Sequence, residues 1–207
     1  MRILLFVSAL ALPPRQPAHE IPDTSAAARA SAPSAIVVGI LDDLAAAFDD
    51  VGRRHGYDYQ AKVEGWLEPS YVASARKRRD IAEYFLAKQA YAQDLNAHMD
   101  SILNVVVERR IDESGMTPDQ QEEMRAAFFR GFEKANEKHH LMIRAIERQA
   151  RVALAMHDFL VRIDARVAVN RKTKALVFAR ETEHRRYVEL SLAIDAANEL
   201  LAEAGAR

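Results

Sequence analysis

Two stretches of the sequence carry a glutamate and a histidine three positions apart. The first is Glu137–His140 and the second is Glu181–His184. On a helix, this spacing places the carboxylate and the imidazole one turn apart on the same face. Carboxylate oxygens and imidazole nitrogens are both common metal ligands, so each motif predicts part of a metal site if further ligands lie nearby.

The Glu-x-x-His spacing is similar to that of ferritin-like di-iron proteins, which carry it on two helices and add single glutamates from two others. The predicted helix order argues against such a site here. If the chain turns near Asn170, Glu181–His184 lies opposite residues 157–160. Glu137–His140 is then about 20 residues, or about 30 Å, further along the helix. The two motifs therefore do not share one dinuclear centre, and a di-iron oxidoreductase is disfavoured.

Each motif can instead belong to a polar cluster of its own. The predicted helix pairing gives two groups of candidate metal ligands, one near each turn between helices. The first group is Asp94, His98, Glu133, Glu137 and His140, and the second is His157, Glu183 and His184. The other interpretation is a set of hydrogen-bonded polar pairs whose histidines titrate near neutral pH. A metal-binding protein or metal-dependent enzyme is thus an alternative function, although no cofactor is predicted.

Four consecutive basic residues form a second candidate site: Arg76, Lys77, Arg78 and Arg79. Such a cluster can contact phosphate or the head groups of anionic lipids, which makes a peripheral lipid-binding module a further alternative. The structural interpretation is an ion-pair network, because positive charge near the start of a helix opposes the helix dipole. No aromatic residue interrupts the cluster, so nucleic acid is not a predicted partner.

The composition excludes several other kinds of chemistry. The chain contains no cysteine, and its charged residues nearly cancel to a net −1. Thiolate chemistry and a disulfide framework are therefore excluded, and no strong field draws the whole chain to nucleic acid or anionic lipid. The sequence also contains no Gly-rich phosphate loop and no nucleophile elbow. It consequently predicts a non-enzymatic protein.

The elements that must position these residues are organised around one turn, residues 114–120. Gly115 can adopt the left-handed backbone that closes a helix. Thr117 can cap the next helix, Pro118 fits its first position, and Gln120 completes a capping box. Because the connection is short, the helices on its two sides are predicted to pack antiparallel.

Apolar residues recur at helical spacing through most of the remaining chain. They predict helices over residues 35–54, 69–113 and 118–169, and a fourth helix after Thr173. Residues 168–174 favour a turn over a continuous helix but leave both open. The loop after the first helix carries aromatic rings, which in a bundle more often cover an open end than form a binding surface.

Two of the predicted helices carry a regular apolar seam. The third has an a/d heptad pattern over six repeats, interrupted by His139 and Gln149, which indicates a coiled-coil-like seam. The fourth has one seam, which passes through Tyr187, Leu190 and Ile194. The predicted fold is all-α: an elongated antiparallel bundle of three to four long helices with coiled-coil-like seams.

The N-terminal segment differs in composition from the predicted bundle. Residues 1–12 place one arginine before an apolar run of about ten residues, which is typical of a secretory signal and too short to span a membrane. Residues 13–34 are rich in Pro, Ala and Ser and predict an extended linker. Residues 35–207 are then the helical bundle domain. A periplasmic or secreted location is expected, with the cytoplasm as the alternative.

Long, seam-bearing helices without a catalytic set of residues are typical of proteins that act through their surfaces. The expected function is therefore protein–protein interaction or self-association, with a protein partner or a second copy as the binding partner. A membrane surface is an alternative partner, without a segment that spans the membrane.

Overall fold

The computed structural model describes residues 24–58 and 66–206. Within them, the helices are α1 (Thr24–Arg54), α2 (Pro69–Val72), α3 (Ala75–Asp112), α4 (Pro118–Arg162) and α5 (Glu181–Ala206). Strands β1 (Val167–Val169) and β2 (Leu176–Phe178) form a small antiparallel hairpin between α4 and α5. The predicted all-α fold is confirmed, with four long helices and one short helix in the described part of the chain.

The first helix begins earlier than the sequence predicted. Residues 24–34, predicted as part of an extended linker, are the first turns of α1. Alanine is the strongest helix former, so the composition that indicated a linker also supports a helix. The predicted signal segment, residues 1–12, and residues 13–23 of the predicted linker lie outside the described residues.

The helices pack into two compact units. Of the described residues, the first contains residues 24–50 together with His98–His139, and the second contains residues 51–58, 66–97 and 140–206. Helices α1, α3 and α4 each contribute residues to both units. Each unit has an apolar core of its own.

In the first unit, the core lies where α1, α3 and α4 meet. Its buried residues are Ile40, Leu44, Leu103, Val106, Val107, Ile111 and Phe128. On α1 and α3 these residues recur mostly at intervals of three or four, and on α4 the partly buried Met124 and Phe132 lie four positions either side of Phe128, so each helix presents one apolar stripe. An ion pair at the edge joins α1 to α3, because Arg110 donates to Asp43 with two nitrogens, at 2.5 and 2.7 Å. These hydrogen bonds hold the pKa of Asp43 below its usual value.

The turn between α3 and α4 forms as predicted. Gly115 has a φ of +70°, in the left-handed region. The Thr117 N–H donates to Gln120 Oε1 at 3.0 Å, and the Gln120 N–H donates to Thr117 Oγ1 at 3.4 Å, which completes the capping box. Within the first unit, Arg125 of α4 then pairs with Glu108 of α3 at 2.7 Å, which confirms the antiparallel helix hairpin there.

In the second unit, α4 supplies the central stripe of the core. The larger cluster contains Val72, Met156, Phe159, Leu160, Ile163, Leu190 and Ile194. A neighbouring cluster contains Ile81, Phe85, Ala150 and Ala153. The α4 members of both clusters recur at intervals of three or four, so one face of α4 packs against α3 and α5 in this unit. Of the predicted seam positions on this part of α4, Ala153, Met156 and Leu160 are core positions, whereas Met142, Ile146 and Gln149 are only partly buried.

The second predicted helix is interrupted. A single helix was predicted over residues 69–113, but α2 ends at Val72 and α3 begins at Ala75. Ser74 lies in the break, where its Oγ accepts the Lys77 N–H at 3.4 Å and its carbonyl accepts the Arg78 N–H at 2.9 Å. Serine favours this N-cap role because its side chain satisfies a backbone donor that the first turn leaves free.

The predicted C-terminal boundary of the third helix, at residue 169, is also wrong. Helix α4 stops at Arg162, and residues predicted to be helical form β1 and β2 instead. Asn170 makes the connecting loop, because its Oδ1 accepts the N–H groups of Lys172 and Thr173 at 2.9 and 3.1 Å. Lys174 then adopts a φ of +58°. A turn at residues 168–174 is therefore correct, but it closes a β-hairpin, and α5 starts only at Glu181.

Candidate functional site

The first predicted group of metal ligands is divided between the two units. His98, Glu133 and Glu137 belong to the first unit, and Asp94 and His140 belong to the second. Among the described residues, no three or more His, Asp or Glu side chains are grouped so that they could hold a metal ion. Metal binding by these residues thus stays a prediction that this geometry does not favour.

Asp94 stabilises the segment that follows α1. Its Oδ2 accepts a hydrogen bond from His55 Nε2 at 2.8 Å, and Arg54 lies 3.7 Å from the same oxygen. The backbone N–H of His55 also reaches back to the carbonyl of Val51, at 3.3 Å. This arrangement matches the second interpretation of the sequence, in which polar residues beside the seams form hydrogen-bonded pairs.

The second predicted group has three different surroundings. Glu183 is buried and pairs with Arg166 at 2.8 Å, so it joins the start of α5 to the hairpin. The His184 ring stacks on Phe178, with centroids 5.7 Å apart. His157 lines a groove between α3 and α4. The pairing that the sequence predicted assumed a helix after Thr173, and the hairpin shifts α5 out of that register.

The basic cluster Arg76–Arg79 is divided by the helix surface. Three of its side chains are exposed, whereas Arg78 is buried, where it donates to the Val72 carbonyl and to Asp164. Consecutive residues on a helix point about 100° apart, so four in a row cannot share one face. Among residues 24–58 and 66–206, no helix combines the length and the apolar character needed to cross a membrane.

Lys88 of α3 is a buried amine that was not predicted as a site from the sequence. Only 7% of the residue is exposed. Its Nζ donates to Gln149 Oε1 on α4, and Gln149 Nε2 donates to Asn198 Oδ1 on α5 at 2.5 Å. One chain of polar groups therefore joins three helices of the second unit. Its middle member, Gln149, is the residue that interrupts the heptad pattern on α4.

Burial lowers the pKa of Lys88 to about 8. An amine that is partly neutral near this pH can serve as a nucleophile or base. Here the amine lies within 6.0 Å of the Tyr84 ring centroid and is covered by core side chains. It does not line the groove between α3 and α4. Its geometry is that of a structural contact between helices.

Aromatic residues after α1 pack against α3 in the second unit. Tyr57 is buried against Tyr91 and Tyr84, with ring centroids 4.9 and 5.7 Å away. Burial, and secondarily its contact with Tyr84, raises the pKa of Tyr57 well above its usual value. Trp66 packs on Phe85 with centroids 5.0 Å apart. Tyr57 and Trp66 are therefore packed against rings of α3. That the rings cover an open end of the bundle stays a prediction, and Tyr59 lies outside the described residues.

The groove that His157 lines has a volume of about 480 Å³. Its walls mix apolar residues, such as Leu86 and Leu154, with polar ones, such as Gln89 and Arg151. The His157 Nδ1 is shielded from solvent and has no hydrogen-bond partner among the described residues. Arg151 already pairs with Glu147 at 2.7 Å. The groove therefore lacks a convergent set of polar groups that would orient a ligand.

Helix α5 carries a row of apolar residues on the face opposite to its buried seam. Val188, Leu192 and Leu200 are 42%, 63% and 39% exposed, and exposed Ala196 completes the spacing of four. Leu190 and Ile194 lie in the core. Isolated exposed apolar residues are ordinary on protein surfaces, but a continuous row on one helix is typical of an interaction surface. We call Val188, Leu192, Ala196 and Leu200 the α5 row.

The seam predicted for this helix is the buried one, and the α5 row was not predicted. The signal was present in the sequence, because four apolar residues recur at intervals of four between positions 188 and 200. Residues four apart on a helix are neighbours on its surface, with each step displaced by about 40°. The chain thus presents an apolar helix face in its second unit.

Comparison of the chain with known protein families, with curated proteins and with solved structures finds no match.

Proposed function

We propose that this protein is a non-enzymatic helical protein that acts through protein–protein contact or self-association, and that the α5 row is the contact surface. The N-terminal sequence supports a cell-envelope setting as part of the same proposal, because residues 1–12 have the pattern of a secretory signal.

The observation that carries the proposal is the exposure of the α5 row. Leu192 is 63% exposed at its centre, and covering a leucine side chain stabilises a complex by up to about 1.5–3 kcal/mol. Three such side chains and an alanine on one face supply the apolar centre that protein interfaces need.

The surrounding structure holds this face in place. The opposite side of α5 packs into the core of the second unit through Leu190 and Ile194. Asn198 fixes the same helix to α4 through Gln149. A binding face on a helix held at several points loses little conformational entropy when a partner binds. The heptad pattern on α4 further supports coiled-coil-like packing as the way in which the helices of this protein associate.

The test is whether the α5 row is covered in the cell. Because the chain has no cysteine, Leu192→Cys introduces a single thiol whose reaction with a maleimide reports exposure. We expect this thiol to react about tenfold more slowly in intact cells than in dilute purified protein, since a bound partner excludes the reagent. Val105→Cys is the matched control, because Val105 is also 63% exposed but lies on α3.

Equal reaction rates for Leu192→Cys in cells and in dilute solution, with the control behaving alike in both, would show that the face is uncovered and the proposal wrong. Repeating the cell measurement with a membrane-impermeant maleimide tests the compartment. Labelling of Val105→Cys without lysis supports the envelope, and labelling only after lysis places the protein in the cytoplasm.

A further inference from the structure

We infer that the α5 row is covered by α5 of a second copy of this chain, with the two helices antiparallel. This inference rests on the proposed function and identifies its partner. It is carried by the arrangement of charge around the α5 row, which makes the helix complementary to itself in one orientation.

The two halves of α5 differ in charge. The exposed basic residues near its start are Arg180, Arg185 and Arg186, and the acidic residues near its end are Asp195, Glu199 and Glu203. The last turn of α5 carries no basic residue. The starting half also contains acids: Glu183 pairs with Arg166, Glu189 pairs with Arg186, and Glu181 is exposed in the first turn. The starting half is therefore close to neutral and carries Arg185 beside the α5 row, whereas the charged residues of the second half are all acidic.

This asymmetry selects the orientation of two identical helices. A parallel pair would place the acidic half of one copy against the acidic half of the other, and like charges would repel. An antiparallel pair instead places each acidic half beside the near-neutral half of the other copy, in which Arg185 is exposed. It also aligns the helix dipoles favourably, because each acidic half then lies near the positive helix end of the partner.

The spacing of the α5 row fixes the register of such a pair. If a two-fold axis passes beside Leu192, Val188 of one copy meets Ala196 of the other, and Arg185 meets Glu199. Arg185 and Glu199 are exposed and have no ion-pair partner among the described residues, so this contact does not break an existing one. The interface is isologous, which closes the assembly at two copies.

Single cysteines test the orientation in the otherwise cysteine-free chain. Under mild oxidation, we expect Leu192→Cys to form a disulfide-linked dimer, because its two copies lie at the axis. Val188→Cys alone should not cross-link, since its two copies are eight positions, or about 12 Å, apart along the helices. A mixture of Val188→Cys and Ala196→Cys chains should yield the cross-linked heterodimer. Efficient self-cross-linking of both Val188→Cys and Ala196→Cys would indicate a parallel pair and overturn the inference.

Charge reversal tests the same register without cysteines. Analytical ultracentrifugation should show that Arg185→Glu and Glu199→Arg each weaken the dimer about tenfold, because each creates two symmetry-related like-charge contacts. The double variant restores the contact with its charges exchanged and should dimerise about as well as the wild type. A double variant as weak as the two single effects combined would refute the pairing of Arg185 with Glu199.

The outcomes separate this inference from the proposed function. If the purified chain is monomeric at all concentrations while Leu192→Cys is protected in cells, a different protein covers the α5 row; the second-copy inference is then wrong and the proposed function stands. If the chain is monomeric and the thiol is unprotected in cells, both fail. A dimer that Leu192→Glu dissociates and Val105→Glu leaves intact supports both.

Discussion

Replacing Lys88 by methionine should change the free energy of unfolding by an amount that depends on pH and is more favourable to the variant at pH 7 than at pH 10. Burial lowers the pKa of the Lys88 amine to about 8 in the folded protein, whereas an unfolded chain has a lysine pKa of about 10.4. Between these values the unfolded chain binds more protons than the folded one, so stability from this group rises with pH. The contribution of Lys88 to stability is most favourable above the pKa of the unfolded chain, and it is lost as the pH falls towards the folded pKa of about 8.

The magnitude follows from the difference between the two pKa values. At pH 7 the charged amine costs about 3 kcal/mol, and at pH 10 about 1 kcal/mol, relative to its neutral form. Methionine has no such cost but loses the hydrogen bond to Gln149, which contributes about 1.5–3 kcal/mol for a charged donor. The free energy of unfolding of Lys88→Met minus that of the wild type should therefore fall by about 2 kcal/mol between pH 7 and pH 10.

Urea unfolding followed by circular dichroism measures this difference at each pH. Lys138→Met is the control, because Lys138 is exposed on α4 and its replacement should change little across the same range. Other groups that titrate in this range are shared by the wild type and both variants, so their effects cancel. If the difference for Lys88→Met stays constant from pH 7 to pH 10, the amine is hydrated in solution and burial does not lower its pKa.

Three further predictions concern stability and can be measured by the same unfolding assay. Thr117→Ala should cost about 1 kcal/mol because it removes one half of the capping box with Gln120, and Thr117→Ser should recover most of that loss. Ile194→Ala should cost about 2–5 kcal/mol because this fully buried side chain leaves a cavity in the second unit; a cost below 1 kcal/mol would place α5 outside the core. Asp164→Asn should cost about 1–3 kcal/mol because it leaves the buried Arg78 guanidinium without its carboxylate, whereas an unchanged stability would mean that the Val72 carbonyl alone is sufficient.

Some features of the fold could be predicted because they depend on residues that are close in sequence. The turn at residues 114–120 needs a glycine, an N-cap and a capping-box partner within seven positions, and all of its contacts are local. The apolar stripe on α4 is likewise a property of one helix, since apolar residues recur every three or four positions in its sequence. For the same reason, the all-α class followed directly from the amino-acid order.

The hairpin was missed because its sequence fits two periods. Val167, Leu176 and Ala179 fit a helical seam, whereas Val167 and Val169 alternate around Ala168 as in a strand. Three-residue strands are too short for periodicity to distinguish them from a helix. The alternative that formed depends on pairing across the loop, in which Val167 lies opposite Phe178 and Val169 lies opposite Leu176.

The candidate sites were decided by tertiary structure. The sequence identified Glu183, His157 and Arg78 as reactive or charged residues. Only the packing shows that Glu183 pairs with Arg166, that His157 lines a groove, and that Arg78 is buried against Asp164. The partner of a charged side chain is commonly far away in sequence. The short hairpin between α4 and α5 also shifts these two helices along one another, which changes every pair of residues that face each other across them.

The helical class, the central turn and the apolar stripes follow from the order of amino acids, because local hydrogen bonding and helical periodicity act within one segment. Which stripe becomes core and which stays exposed depends on how the helices pack. On α5, Leu190 and Leu192 are the same residue type two positions apart, yet one is buried and the other is 63% exposed. Their difference arises because α4 covers one face of the helix and, within the described part of this chain, nothing covers the other.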